Sequence, residues 1–213
     1  MRIHLLHTAE SNIAVFKAAA VELNIPAQYL RHHVREDLLQ ACEMAGGLTQ
    51  SIRQQTVETL LQLAEDAEVV LLTCSTLGPA AEDAAKQTSV RMLRVDRALA
   101  ETALAAEGHI TVLYAVETTK GPTLKLFADV QGEREADISF SWVAEAWERF
   151  KQGNSAGYLQ LIAAAADKAY QNGAEVVVLA QASMAGAANL TQFGIPLTSP
   201  LCGLRAAMSP ETA

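Results

Sequence analysis

Cysteines are few in this sequence, and none is spaced for metal or redox chemistry. The 213 residues include only Cys42, Cys74 and Cys202, with no C-x-x-C pair among them. A cytosolic thiol pool would keep such an odd set of cysteines reduced. We therefore expect Cys42 and Cys202 to be structural, and any cysteine chemistry to be that of a thiolate.

Long apolar runs and an excess of positive charge are also absent. No stretch approaches the roughly 18 to 20 apolar residues of a membrane-spanning helix, and the first ten residues lack the apolar core of a signal peptide. Sixteen Lys and Arg stand against 24 Asp and Glu, a formal net charge of −8. Such a charge repels nucleic acid and anionic lipid. We predict a cytoplasmic protein with no nucleic-acid or membrane partner.

Several functional motifs are missing as well. The sequence contains no P-loop, G-x-G-x-x-G, H-E-x-x-H or G-x-S-x-G pattern, which argues against nucleotide binding, zinc proteolysis and serine hydrolysis. His32 and His33 are adjacent, and His4 is three positions before His7, so each pair points to opposite faces of an extended strand. We expect no metal site.

Apolar periodicity indicates an α/β protein. Short runs of Val, Ile and Leu alternate with Ala-rich stretches of helical period, which is typical of βα units around a parallel sheet. The predicted strands are 3–6, 28–32, 69–73, 90–95, 110–115, 136–142, 176–180 and 196–198. The predicted helices are 11–23, 49–66, 79–87, 97–106, 119–130, 155–171 and 185–192.

The two halves of the chain resemble each other. The stretch VVLLTCST at 69–76 matches VVVLAQAS at 176–183 in its apolar run, its polar turn and its small-residue helix start. The same overlay places the end of the first strand, at 7–8, near 117–118. The duplication predicts two pseudo-symmetric lobes, each with a four-stranded parallel sheet flanked by helices.

We place the lobes at residues 1–96 and 97–200, with 201–213 packing back on the first lobe. Ligands bind outside the carboxyl ends of parallel strands. The ends of the first, third, fifth and seventh strands should therefore surround one active-site cleft between the lobes.

Cys74 and Gln181 occupy matching turns at this cleft. Cys74 precedes a helix, whose free N–H groups and dipole should lower the pKa of the thiol and bind a carboxylate oxygen. The alternative is a small buried residue at a strand end. Gln181 can donate and accept hydrogen bonds but cannot take up a proton near neutral pH. Its alternative role is local hydrogen bonding within the turn.

His7 is the best candidate for a second base. It ends the first strand beside the cleft, and an imidazole with a pKa near 6.5 could pair with Cys74 or act on the substrate. The alternative is a hydrogen-bonded histidine at a strand end. Asp96 should cap the helix after the fourth strand with its carboxylate. Three aromatic residues after the sixth strand should pack in the core or between the lobes: Trp142, Trp147 and Phe150.

Over nearly the whole chain, the sequence resembles the aspartate/glutamate/hydantoin racemase superfamily. Three features carry the resemblance: the duplicated strand–turn–helix, the Cys-Ser-Thr turn at 74–76 and the stretch VLYAVETT at 112–119. The resemblance implies a cofactor-independent homodimer with a cysteine on each lobe. One cysteine removes the α-proton of a carboxylate substrate, and the other returns a proton on the opposite face.

Carried onto this sequence, the resemblance makes Cys74 the first catalytic cysteine and puts Gln181 in the place of the second. It implies that Ser75 and Thr76 form the anion-binding turn after Cys74 and that Thr118 and Thr119 bind carboxylate on the second lobe. To these substrate-binding residues we add Ser183, for the carboxylate oxygens, and Thr8, as a further hydrogen-bonding group. Inversion by two thiols is excluded unless His7 substitutes for one of them. The arylmalonate decarboxylases, which look similar, also work with a single cysteine.

The sequence thus predicts a racemase-like enzyme that acts on a small carboxylate or amino-acid-like substrate by cysteine-dependent proton transfer. The sequence does not distinguish between three reactions, which are isomerisation by one base, racemisation by one base, and decarboxylation. The alternative is a non-catalytic protein that binds or senses a small carboxylate.

Overall fold

The computed structural model describes residues 1–209, which form two four-stranded parallel sheets. The strands are β1 Ile3–His7, β2 Leu30–Val34, β3 Val69–Leu72, β4 Arg91–Arg94, β5 Ile110–Tyr114, β6 Ile138–Trp142, β7 Val176–Leu179 and β8 Leu197–Thr198. Their orders are β2-β1-β3-β4 and β6-β5-β7-β8, with every neighbouring pair parallel. The predicted class and the two four-stranded parallel sheets are confirmed.

Helices flank both sheets. They are α1 Ser11–Glu22, α2 Glu36–Ala45, α3 Gln50–Ala64, α4 Gly78–Ala85, α5 Val95–Leu104, α6 Lys120–Gln131, α7 Ala146–Lys151, α8 Ser155–Gln171 and α9 Ser199–Met208. Three 3-10 helices span Ala27–Tyr29, Glu117–Thr119 and Ala182–Asn189. In the described part of the chain, no helix is both long and apolar enough to cross a membrane.

Several predicted bounds differ from the structure. The strand predicted at 28–32 begins at Leu30, because a 3-10 turn follows Pro26. The helix predicted at 185–192 is a 3-10 helix that begins three residues earlier, at Ala182. Apolar periodicity did not predict α2, α7 or α9, which are ten, six and ten residues long.

The duplication holds at the level of individual hydrogen bonds. A constant offset of 107 residues relates the sheets, because Ile3 pairs with Val69 and Ile110 pairs with Val176. Just before β1, the Arg2 N–H donates to the Glu68 carboxylate at 2.6 Å. The equivalent bond, His109 N–H to Glu175, is also 2.6 Å long.

The predicted overlay of 7–8 on 117–118 is wrong. The register makes His7 equivalent to Tyr114, because β5 ends at Tyr114 and Glu117 lies in the following 3-10 helix.

The central strands β1, β3, β5 and β7 are almost wholly buried because helices cover both faces of each sheet. The C-terminal helix α9 packs against α1 and α5. Its Leu204 and Ala207 join the apolar cluster around Ile3 and Phe16 in the first sheet. The lobe bounds at 96 and 97 stay a prediction, and residues 210–213 of the predicted returning segment lie outside the described residues.

Candidate active site

The carboxyl ends of β1, β3, β5 and β7 meet between the sheets, as the duplication predicts. The Ser75 hydroxyl after β3 donates to the carbonyl oxygen of Ala180 after β7 at 2.9 Å. The hydroxyl oxygens of Thr76 and Thr119 are 3.1 Å apart. The turns of the two lobes are therefore joined directly.

An inner cavity of about 30 Å³ lies between these turns. That volume is about the space of one water molecule. The cavity is lined by Thr8, Ala9, Asn12, Leu39, Thr73, Cys74, Ser75, Thr76, Val116, Thr119, Trp147, Gln181, Ala182 and Ser183. Cys74 and Gln181 thus share one enclosed space.

Cys74 is 8% exposed, and three donor groups favour its thiolate: the Thr8 side chain and the backbone N–H groups of Leu77 and Thr76. Burial raises the pKa of the Cys74 thiol, while these three donors act in the opposite direction. The expected lowering of this pKa is wrong, because removal of water outweighs the turn. The resting sulfur is a protonated thiol with three donors placed to stabilise a thiolate.

Gln181 is anchored across the second lobe. Its side-chain oxygen accepts hydrogen bonds from the backbone N–H groups of Ala115, at 2.6 Å, and Val116, at 3.1 Å. Its side-chain nitrogen has no hydrogen-bond partner within residues 1–209, so it can donate to a ligand in the inner cavity.

His7 is a hydrogen-bonded residue inside the first lobe. The Thr73 hydroxyl donates its single proton to the Leu6 carbonyl at 3.0 Å, so it accepts from His7 Nδ1 at 2.9 Å. The neutral ring then accepts at Nε2 from Nδ1 of His32, at 2.9 Å. Burial, together with the nearby rings of His32 and His33, lowers the pKa of His7 to about 3. His7 does not line the inner cavity, and the structure does not bring it to Cys74.

Five of the six predicted substrate-binding residues line the inner cavity, and the sixth, Thr118, lines the space outside it. Most of their hydroxyls already have protein partners. Thr76 is bonded to both Thr118 and Thr119, and Ser183 to the Tyr158 hydroxyl at 2.7 Å. In this closed arrangement, these side chains hold the lobes and turns together.

An outer cavity of about 470 Å³ adjoins the inner one, and Val116 and Trp147 line both. The Trp147 indole donates to the Glu43 carboxylate, which joins α7 to α2. Its ring also stacks on Phe150 at a centroid distance of 4.7 Å. Trp147 packs between the lobes, as predicted, and it also lines both cavities.

The sequence model of one family, the Asp/Glu/hydantoin racemases, matches residues 2–205. The chain belongs to the Asp/Glu/hydantoin racemase family. No protein of curated function matches this family member by sequence.

Solved racemase structures have the same fold. The glutamate racemase of Thermus thermophilus, in complex with β-chloro-D-alanine, is 14% identical, with a TM-score of 0.67 over 97% of this chain and 78% of that one. An aspartate racemase homologue of Pyrococcus horikoshii is 15% identical, with a TM-score of 0.66 over 96% of both chains. The allantoin racemase of Pseudomonas fluorescens is 16% identical, with a TM-score of 0.63 over 97% and 89%.

Asn12 is a site residue of this racemase-family chain that the sequence analysis missed. It is 5% exposed and lines the inner cavity, and its side-chain oxygen has no hydrogen-bond partner within residues 1–209. The available signal was an amide in the first turn of the apolar helix α1, which follows the end of β1 after three residues.

Asp96 does not cap α5 with its side chain. Arg94 donates two hydrogen bonds to its carboxylate, at 2.7 and 2.8 Å, and a third to Glu82 at 2.7 Å. The predicted capping role is wrong because this buried guanidinium takes both carboxylate oxygens. Within residues 1–209, no group of three or more His, Cys, Asp or Glu side chains is placed to hold a metal ion.

Proposed function

We propose that this racemase-family protein is a cofactor-independent isomerase that moves a proton at the α-carbon of a small carboxylate or amino-acid-like substrate. Cys74 is its single thiol acid and base. The observation that carries the proposal is the Cys74 thiol in the cavity between the lobes, with donor groups that favour its thiolate and the non-titrating Gln181 in the same space.

Proton transfer follows from this arrangement. In the protonating direction, the electron pair of a planar carbanion forms the C–H bond, the S–H bond of Cys74 breaks, and the negative charge moves to sulfur. Thr8 and the N–H groups of Thr76 and Leu77 stabilise that charge. In the reverse direction, Cys74 first loses its proton to solvent, and the resulting thiolate then removes the α-proton and regains its S–H bond as the electron pair of the C–H bond stays on the substrate. The free side-chain N–H of Gln181 would donate to an enediolate oxygen that develops during the reaction.

Substrate entry requires the lobes to separate. An inner cavity of about 30 Å³ holds no amino acid, so the bonds from Ser75 to Ala180 and from Thr76 to Thr119 must open first. Closure would then exclude water from the reacting carbon and hold it against the sulfur of Cys74.

A binding or sensor protein is the second candidate. The paired hydroxyls of the inner cavity and the raised pKa of the Cys74 thiol favour it. As part of the first proposal, the chain acts as a cytoplasmic homodimer and has no nucleic-acid or membrane partner.

Exchange of the α-hydrogen in heavy water, followed by NMR, separates the two functions. The panel contains aspartate, glutamate, arginine, citrulline, lysine, norleucine and allantoin, with each chiral compound supplied as both enantiomers. We expect exchange with at least one compound, and Cys74→Ala should slow it by a factor on the order of 10² or more. Unchanged exchange in Cys74→Ala would refute the thiol mechanism, and binding without exchange would establish the sensor.

A further inference from the structure

The side chain of Asn12 indicates which chemical group of a ligand the inner cavity binds. Its side chain is 5% exposed, and the oxygen is buried without a partner in the described chain. A buried acceptor without a donor is costly in free energy, and such groups are generally satisfied. Asn12 lines the inner cavity, so a ligand N–H that enters beside it when the lobes open would satisfy this oxygen.

The outer cavity indicates the charge at the other end of the ligand. Four glutamates and one lysine line it. The lysine, Lys151, is paired with Glu148 at 2.6 Å, and Glu43 accepts from Trp147. The carboxylates of Glu117 and Glu145 have no hydrogen bond or ion pair within residues 1–209. This cavity therefore repels a second carboxylate and favours a cation.

Val116 and Trp147 line both cavities, so one extended ligand can occupy both once the lobes have opened. Resting on the proposed function, we propose that the substrate is an α-carboxylate with an N–H group at the reacting carbon and a positively charged far end. Asn12 accepts from the N–H group, and Glu117 and Glu145 face the cation.

The backbone at Glu145 supports a role for this side chain. Its φ is 62°, in the left-handed region that disfavours a residue with a Cβ atom. Glycine or asparagine would fit this position, directly before α7, with less strain. Glutamate at a strained position beside the outer cavity is consistent with selection for its carboxylate.

Isothermal titration calorimetry on the full chain compares the binding of two pairs of ligands. The members of each pair are similar in length and differ in charge: arginine with citrulline, and lysine with norleucine. We expect the cation of each pair to bind about tenfold more tightly, as for a charge-assisted hydrogen bond. The preference should shrink in 0.5 M NaCl, because the outer cavity is open to solvent. Glutamate and aspartate should bind most weakly.

Variants of the two glutamates and of Asn12 test the two proposed ligand contacts separately. The double variant Glu117→Gln, Glu145→Gln should abolish the preference for arginine and leave citrulline binding unchanged, whereas the exposed Glu133→Gln should change neither. Asn12→Leu should weaken arginine and citrulline by the same factor. If Asn12→Leu does not fold, the near-isosteric Asn12→Asp should keep or increase arginine affinity, because a carboxylate oxygen still accepts from N–H.

Equal binding within the pairs, tighter binding of glutamate or aspartate, or no binding by arginine and lysine would each overturn this inference. The α-hydrogen exchange measurements on the panel of compounds test the proposed function separately. Exchange of glutamate or allantoin alone, abolished by Cys74→Ala, would keep the thiol mechanism and reject the cationic substrate.

Discussion

The side-chain oxygen of Gln181 lies 2.6 Å from the backbone nitrogen of Ala115, at the end of β5. Gln181 is the residue equivalent to Cys74 under the 107-residue offset that relates the two sheets. Its amide therefore replaces a potential acid or base with a neutral group that satisfies two backbone N–H groups, those of Ala115 and Val116. These hydrogen bonds explain how the turn after β7 in the second lobe stays ordered without a cysteine.

Gln181→Cys tests that explanation. We expect the variant to fold but to lose roughly 1–3 kcal/mol of unfolding free energy, because a thiol is too short to accept from both N–H groups. Urea denaturation measures the loss, and Gln181→Glu, whose oxygen can still accept both bonds, is the matched control. With a thiol in each lobe, the variant should also invert the configuration of any substrate that the wild type only exchanges. Failure of Gln181→Cys to fold would make Gln181 a structural residue.

His7 should make folding stability sensitive to acid. Its pKa in the folded protein is lowered to about 3, from the ordinary value of 6.5, so the unfolded chain binds more protons between these values. Stability is then complete above pH 6.5 and falls as the pH drops toward 3, by up to about 1.4 kcal/mol per pH unit from this group. Urea denaturation at pH 7, 6 and 5 measures the slope, which should decrease in His7→Gln.

Exchange activity should not depend on His7 as a base. Both of its ring nitrogens are hydrogen-bonded inside the first lobe, away from the inner cavity. At pH 7.5, folded His7→Gln should keep α-hydrogen exchange within a few-fold of wild type. Loss of exchange comparable to that in Cys74→Ala would instead identify His7 as the overlooked base.

Gly78 should not tolerate a side chain. It is the first residue of α4, directly after the Cys74 turn, and a Cβ there would collide with the guanidinium of Arg94. That guanidinium is buried and bonded to Asp96, so Gly78→Ala should cost about 3 kcal/mol or more of unfolding free energy. Gly121→Ala in α6, with no atom within 4 Å of the new Cβ, should be neutral or stabilising. Equal stability of the two variants would show that Arg94 can move at little cost.

Trp147 should control access to Cys74. Trp147→Phe removes the indole bond to Glu43 that joins α7 to α2. We expect it to speed alkylation of Cys74 at pH 7.5 several-fold, measured by peptide mass spectrometry, because the lobes separate more often. Trp142, which is 56% exposed and donates to Ala115, supplies the control Trp142→Phe. Equal rates in both variants would argue against a closing role for the Trp147 bond.

Sequence periodicity predicted the parts of the fold that are local or repeated. The runs at Val69–Leu72 and Val176–Leu179 are apolar on both faces, which is diagnostic of central strands covered by helices. Their match across the two halves predicted the meeting of four strand ends, and with it the common cavity of Cys74 and Gln181. The pattern did not define α2, α7 or α9, because helices of six to ten residues hold little periodic signal.

By itself, the sequence determined the α/β class, the duplication and the turns that line the site, because these depend on the order of apolar and polar residues along the chain. Only the tertiary structure decided the chemical states of the site residues. The pKa of Cys74 rises because burial removes water from its thiol, and His7 turns away because β2 brings His32 to its other nitrogen. Asn12 faces the inner cavity and Glu117 and Glu145 the outer one. Burial and hydrogen-bond partners come from residues far apart in the chain, so no local pattern specifies them.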